Sequence, residues 1–175
     1  MIDIQNKKDC CGCGACVAVC PKSTISFDRD NEGFHYPKVD LSNCINCGLC
    51  EKVCPFLGGV GLSKLRSSQC YGLIDKTLDI QLKSASGGVF TELATYVLDE
   101  GGIVFGAAFN DCWEVEHVGI SQKQDLSRLR RSKYVQSYNV NSYQEIKKQL
   151  RVGRLVLYTG TPCQCLSLKI GRAHV

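Results

Sequence analysis

The sequence predicts two domains, a small α+β domain followed by an α/β domain. Three observations lead there. A cysteine formula, C-x2-C-x2-C-x3-C-P, runs from Cys10 to Pro21 and again from Cys44 to Pro55. Between the copies, the strand-like runs TISF and FHYP flank DRDNEG, which is the pattern of a β-hairpin around an Asp-, Asn- and Gly-rich turn. Beyond residue 60, helices with marked ends alternate with apolar strands, the pattern of an α/β layer.

Apolar residues make up 44% of the 175 and charged residues 22%, ordinary for a globular chain, so the thirteen cysteines set it apart. The start, MIDIQNKKDC, is polar, and no window approaches the roughly 18 apolar residues of a membrane span. Cysteine richness without an export signal points to metal ligation in the cytoplasm rather than to disulfides. The net charge of +4 is mild. Its densest run, Arg128, Arg130, Arg131 and Lys133, reads as a solvated face or as a site for an anion. No interleaved aromatics or nucleic-acid motif accompany it, so DNA and RNA are not expected partners.

The cysteine formula carries its own chemistry. Three cysteines at x2 intervals let one tight loop hold three corners of an iron–sulfur cube. Gly12, Gly14 and Gly48 lie in these loops, where the backbone passes close to the cluster and positive φ is expected. The fourth cysteine lies one helical turn on and reaches the other cluster. The proline after it ends the short helix. The expected ligands are therefore Cys10, Cys13, Cys16 and Cys54 for one [4Fe–4S] cluster, and Cys44, Cys47, Cys50 and Cys20 for the other. Structural zinc sites use separated C-x2-4-C pairs and have no need of a third cysteine at x2. Cys11 falls outside the spacing and is expected to be a small buried residue beside the cluster. A domain of about sixty residues is marginal alone, so bound clusters would contribute folding energy.

The glycine- and serine-rich FLGGVGLSKLRSS marks a domain boundary near residue 60, giving domains 1–60 and 61–169. QCYGLI is expected to be a strand. KSASGGVFTELATYVLDEGG reads as a helix capped by Ser86, with Val89, Phe90, Leu93, Ala94, Val97 and Leu98 on one face and Gly101 or Gly102 as the stop. GIVFGAAF and WEVEHVGI read as strands, and NSYQEIKKQLRVGR as a polar helix capped by Asn141 or Ser142. In RLVLYTGTPCQCLSLKI, LVLY is a strand, Thr161 a cap and Pro162 the first helical residue. Ser84–Gly88 and Gly160–Cys163 each present backbone N–H groups at a helix start, as a cap or as an anion cradle. No G-x-G-x-x-G or Walker A pattern is present. Cys70 and Cys112 are expected to be buried, and His35 and His117 to be structural.

Residues 9–55 resemble the bacterial dicluster ferredoxins. KSASGGVFTELA, GGIVFGAAF, LRRSKYVQS and LYTGTPCQ, in this order after them, resemble the coenzyme F420 hydrogenase/dehydrogenase beta-subunit family, over residues 9–169. The resemblance implies a ferredoxin-like α+β dicluster domain joined to an incomplete α/β flavin domain. It implies two [4Fe–4S] clusters, FAD, and coenzyme F420 or another small-molecule acceptor. A redox partner protein or enzyme subunit is implied as well. It suggests that Ser84, Ser86, Gly87, Gly88, Lys133, Tyr134, Gly160, Thr161 and Cys163 line a flavin pocket, and it names no catalytic residue. Cys163 would ligate a further cluster or sit near the flavin, and Cys165 would pack in its helix.

The expected function is that of an iron–sulfur flavoprotein subunit passing electrons between clusters and a flavin. The alternatives are a non-enzymatic carrier whose second domain docks a partner enzyme, and a zinc-stabilised interaction domain. The chain ends in IGRAHV, which matches one frame of a common sequencing adapter. Residues 170–175 are therefore expected to be adapter-derived, and the chain to be a fragment of a longer protein.

Overall fold

The computed structural model describes residues 1–57 and 69–172, with side chains of the last helix described to residue 168. The expected boundary near residue 60 and the last three residues of the suspected tail lie outside the described residues. The chain forms two compact units. The first takes Met1–Gly61, Tyr138–Lys147 and Gly160–Val175, and the second takes Leu62–Ser137 and Lys148–Thr159. Residues 138–147 and 160–175 thus belong with the N-terminal segment, and 148–159 with the second unit.

In the first unit, helices α1 (Ala15–Val19) and α2 (Leu49–Val53) each follow a cysteine loop. Between them strands β1 (Ile25–Arg29) and β2 (His35–Val39) pair antiparallel, with Ile25 opposite Val39 and Arg29 opposite His35. The expected hairpin is present. Asp30 closes its turn: Oδ1 accepts from the N–H groups of Glu32 (3.0 Å) and Phe34 (2.9 Å), as short polar side chains do in turns. Pro37 is tolerated because a two-stranded ribbon is all edge. The core gathers Ile2, Cys16, Ile25, Cys50 and Cys54, with Ile4, Val17 and Val39 against it. Sulfur atoms thus form much of this small core.

Two later segments complete the first unit. Tyr138 packs edge-on to Phe27, at 6.1 Å between ring centroids. Helix α6 (Val140–Arg151) starts here, with Val140 against Gly14. Asn141 and Ser142 lie inside its first turn rather than capping it. The residue before the helix is Asn139, which is buried and accepts from the Ser142 hydroxyl. Helix α7 (Pro162–Arg172) begins with proline as expected, and Gln164 Oε1 accepts from the Thr161 N–H at 2.8 Å, half of a capping box.

The second unit holds a three-stranded sheet in the order β4 (Val115–Ile120), β3 (Ile103–Phe109), β5 (Val156–Tyr158). β3 pairs antiparallel with β4 and parallel with β5. Helix α4 (Val89–Asp99) buries Thr91, Ala94, Val97 and Leu98, and Phe90 packs against the same core with Val104, Ala108 and Ile120. Val89 and Leu93, expected on that face, are exposed. Gly88, at φ 89°, is the N-cap in place of Ser86, and Gly101, at φ 72°, follows the helix as expected. QCYGLI is irregular and exposed rather than a strand, and among the described residues no strand pairs with it. The sequence reading missed the short helix α3 (Leu78–Lys83), and α5 (Leu126–Leu129) lies in the stretch it left unassigned. Trp113 belongs to the turn before β4, at φ 61°.

Candidate metal centres

The two cysteine loops repeat in conformation as they do in sequence. Gly12 (φ 62°) and Gly14 (φ 80°) correspond to Asn46 (φ 51°) and Gly48 (φ 72°). Three of these are glycines because left-handed backbone is costly for a residue with a Cβ, and the fourth is asparagine, the residue that tolerates it best. Gly14 and Gly48 then cap α1 and α2. Cys20 and Cys54 end those helices in extended backbone, as the prolines that follow them require.

Two cavities result. One is lined by Cys10, Cys11, Cys13, Cys16 and Cys54 with Ile2 and Phe27. The other is lined by Cys44, Cys47, Cys50 and Cys20 with Ile25 and Val39. In each cavity the three cysteines at x2 spacing in one loop meet the fourth from the end of the other helix, and Cys11 adds a further sulfur to the first. All thirteen cysteines are free thiols. Among the described residues no three His, Cys, Asp or Glu side chains converge as they would on a single ion. The sulfurs instead ring apolar space, a donor set that fits a cluster rather than one zinc ion.

Ligation needs thiolates, and the surroundings act on each thiol differently. Burial pushes Cys10 and Cys16 up. The Cys11 thiol donates to Cys13, and with Ser167 it draws Cys13 down to about 6 against the effect of burial. Burial also opposes ionisation of Cys20, but the Thr24 hydroxyl and the N–H groups of Lys22, Ser23 and Thr24 outweigh it and hold Cys20 below the usual thiol range. Backbone donors reach two further sulfurs: Gly12 N–H to Cys10 Sγ at 3.4 Å and Ile2 N–H to Cys50 Sγ at 3.2 Å.

The remaining cysteines divide. Cys11 is exposed rather than buried, and its one thiol proton is shared between the sulfurs of Cys13 and Cys163. The shared Cys11 proton and the Thr161 hydroxyl draw the Cys163 thiol down against burial, with Thr161 Oγ1 3.1 Å from its sulfur. Cys163, left open between a cluster and a flavin, thus stands beside the first cysteine loop. Cys165 turns its thiol back to the Gly160 carbonyl at 3.6 Å. Cys70 and Cys112 are exposed, contrary to expectation, because both lie in irregular surface segments. The residues that sequence reasoning missed are Thr24 and Ser167. Thr24 Oγ1 is 3.3 Å from Cys20 Sγ, and Ser167 Oγ is 3.4 Å from Cys13 Sγ. Neither belongs to a motif, and only Thr24 is near its partner in sequence.

The expected flavin contacts are distributed over both units. In the second, Ser84 Oγ donates to the Ile80 carbonyl at 2.6 Å. A Cβ on Gly87 would meet the Leu73 carbonyl oxygen at 2.1 Å, and one on Gly88 would meet Asp75 Cβ at 2.9 Å. The chain's own residues 73–75 therefore fill the space these glycines leave. Lys133 Nζ donates to the carbonyls of Arg128, Arg130 and Arg131 at 2.9, 2.8 and 3.2 Å, which uses all three of its donors. Ser86 and Tyr134 are exposed. In the first unit, Gly160 and Thr161 are exposed and Cys163 is half-buried. His117 is structural: Nε2 lies 3.0 Å from the Thr159 carbonyl oxygen and the ring stacks on Tyr158 at 5.3 Å.

Residues 9–57 match the family described as 4Fe-4S dicluster domain. Residues 75–144 match coenzyme F420 hydrogenase/dehydrogenase, beta subunit N-term. A coenzyme F420-dependent sulfite reductase of Methanocaldococcus jannaschii is 27% identical over 174 residues, covering 95% of this chain. The chain spans 26% of that relative's length. Among the described residues, no helix is long and apolar enough to cross a membrane.

Proposed function

We propose an electron-transfer module of an oxidoreductase for this chain, whose residues 9–57 match the 4Fe-4S dicluster domain family and residues 75–144 the coenzyme F420 hydrogenase/dehydrogenase beta-subunit N-terminal family. Cys10, Cys13, Cys16 and Cys54 hold one [4Fe–4S] cluster, and Cys44, Cys47, Cys50 and Cys20 hold the other. One observation carries this reading: the eight cysteines divide between two cavities, three from one loop and one from the other in each.

The chain's own residues do three things for such clusters. Their thiolates ligate. The side chains of Ile2, Phe27, Ile25 and Val39 supply apolar walls to the two cavities. The N–H groups of Gly12 and Ile2 orient Cys10 and Cys50. Bound clusters supply one-electron chemistry, and an FAD beside them would join it to the two-electron chemistry of a deazaflavin or another acceptor. A deazaflavin acceptor and a redox partner subunit are supported by the matched family's description and by the relative's name, whereas FAD rests on the sequence resemblance alone.

A second reading is favoured by one observation. The Ser84–Gly88 segment and Lys133 are engaged by their own chain. On that reading the second domain docks a partner enzyme and the protein is a carrier. Anaerobic purification of the chain, with iron, sulfide and flavin counted, separates the two. About eight iron and eight sulfide per chain with stoichiometric FAD supports the flavoprotein. The same iron and sulfide without flavin supports the carrier. Zinc without sulfide overturns both.

A further inference from the structure

Each cavity has one wall sulfur met by a buried hydroxyl. Thr24 is 8% exposed and its Oγ1 lies 3.3 Å from Cys20 Sγ. Ser167 is 2% exposed and its Oγ lies 3.4 Å from Cys13 Sγ. The two hydroxyls have different origins. Thr24 follows Cys20 by four residues, between the two cysteine loops. Ser167 comes from α7, 154 residues beyond Cys13 and outside the matched dicluster segment of residues 9–57.

The Ser167 hydroxyl has a second partner, the Cys163 carbonyl oxygen at 2.8 Å. It has one proton for two acceptors. The carbonyl is neutral, whereas a ligating Cys13 is a thiolate. Hydrogen bonds to an ionised acceptor are about twice as strong as those between neutral groups, so the proton turns to sulfur when Cys13 ligates. A donor on a ligating sulfur stabilises the more negative, reduced state over the oxidised one. Hydrogen bonding to the sulfurs is accordingly one of the determinants of cluster potential.

We propose that Ser167 and Thr24 are positioning residues that raise the reduction potentials of the two clusters independently, Ser167 for the cluster on Cys10, Cys13, Cys16 and Cys54, and Thr24 for the other. This rests on the cluster reading above. Its consequence is that α7 sets the potential of one cluster and leaves the other alone.

The test is a redox titration of the full chain, loaded with iron and sulfide without oxygen and followed by electron paramagnetic resonance. Ser167→Ala lowers the midpoint potential of one cluster and leaves the second unmoved. Ser167→Thr, which keeps the hydroxyl, restores the wild-type value. Thr24→Val lowers the potential of the cluster that Ser167→Ala did not touch. The proposal is overturned if Ser167→Ala moves neither potential, or if the two variants move the same one. Should Ser167→Ala take up no iron, Ser167→Cys replaces it. Its thiol is a weak donor of similar size, so it must lower the same potential, and no shift overturns the proposal. A wild-type chain that binds no iron sinks the cluster reading instead, an outcome read from metal content before any potential is measured.

Discussion

The main-chain N–H of Ile2 donates to the sulfur of Cys50, at 3.2 Å, across 48 residues of sequence. The start of the chain is thereby fastened to the second cysteine loop, and the Met1 ammonium adds a 3.1 Å ion pair with Glu51. Ile2→Pro removes the N–H and keeps an apolar side chain, whereas Ile2→Val keeps both. A hydrogen bond to an ionised sulfur contributes about 1.5–3 kcal/mol. Ile2→Pro is expected to lose iron from one cluster faster than wild type under a chelator, and Ile2→Val to behave like wild type. Bleaching of the visible absorbance with time checks this.

Gly14, in the first cysteine loop, and Gly33, in the hairpin turn, compare a crowded glycine with an open one. Both have positive φ, 80° and 87°. A Cβ on Gly33 meets nothing within 4 Å, while one on Gly14 comes within 3.1 Å of Val140 Cγ2 and 3.3 Å of Phe27. Gly33→Ala is expected to cost about 1–2 kcal/mol of backbone strain and no iron. Gly14→Ala adds crowding to that strain and is expected to lower the iron content as well. Urea midpoints and iron per chain for the two variants make the comparison.

Cys20 is adjacent in sequence to the first loop but lines the cavity of the second. Cys20→Ala and Cys47→Ala are therefore expected to lose the same cluster, and Cys54→Ala and Cys13→Ala the other. Each single variant keeps about half the iron, and Cys20→Ala with Cys47→Ala keeps as much as either alone. The double variant Cys20→Ala with Cys13→Ala loses nearly all. Iron analysis decides, and additive loss for Cys20 with Cys47 would falsify the crossed assignment.

His117 gives the second unit a pH dependence. Burial lowers its pKa, outweighing the Thr159 carbonyl, which favours the charged form. The native ring is neutral with Nδ1 buried and unpartnered. Above about pH 6.5 both the native and the unfolded imidazole are neutral and stability is unaffected. As pH falls from there towards the lowered native pKa, the unfolded chain takes up a proton that the native one does not. Stability then declines by up to about 1.4 kcal/mol per pH unit. His117→Phe keeps an aromatic ring against Tyr158 and is expected to flatten this decline. Denaturant midpoints of both proteins between pH 7 and pH 5 give the answer.

The features legible in the sequence are those fixed by neighbours along the chain. The cysteine formula, the turn at Asp30, Gly101 after α4 and Pro162 at the head of α7 are all local, and all stand where the sequence puts them. Ser86 failed as a cap because Gly87 and Gly88 lie beneath residues 73–75, a tertiary contact with no sequence signature. QCYGLI has the composition of a strand, but a strand requires a partner, and β3 already pairs with β4 and β5. The same limit hid Ser167, since nothing in CQCLSLK points to a sulfur 154 residues away.

The interleaving of the two cysteine loops fixes when each site can first exist during synthesis. The cavity on Cys44, Cys47 and Cys50 has its fourth wall, Cys20, ready long before, so it becomes complete at Cys50. The cavity on Cys10, Cys13 and Cys16 stays open for the whole hairpin and the second loop, until Cys54 emerges. A ribosome paused before Cys50 holds two partial cages and no finished one, and a single further helical turn of translation completes both.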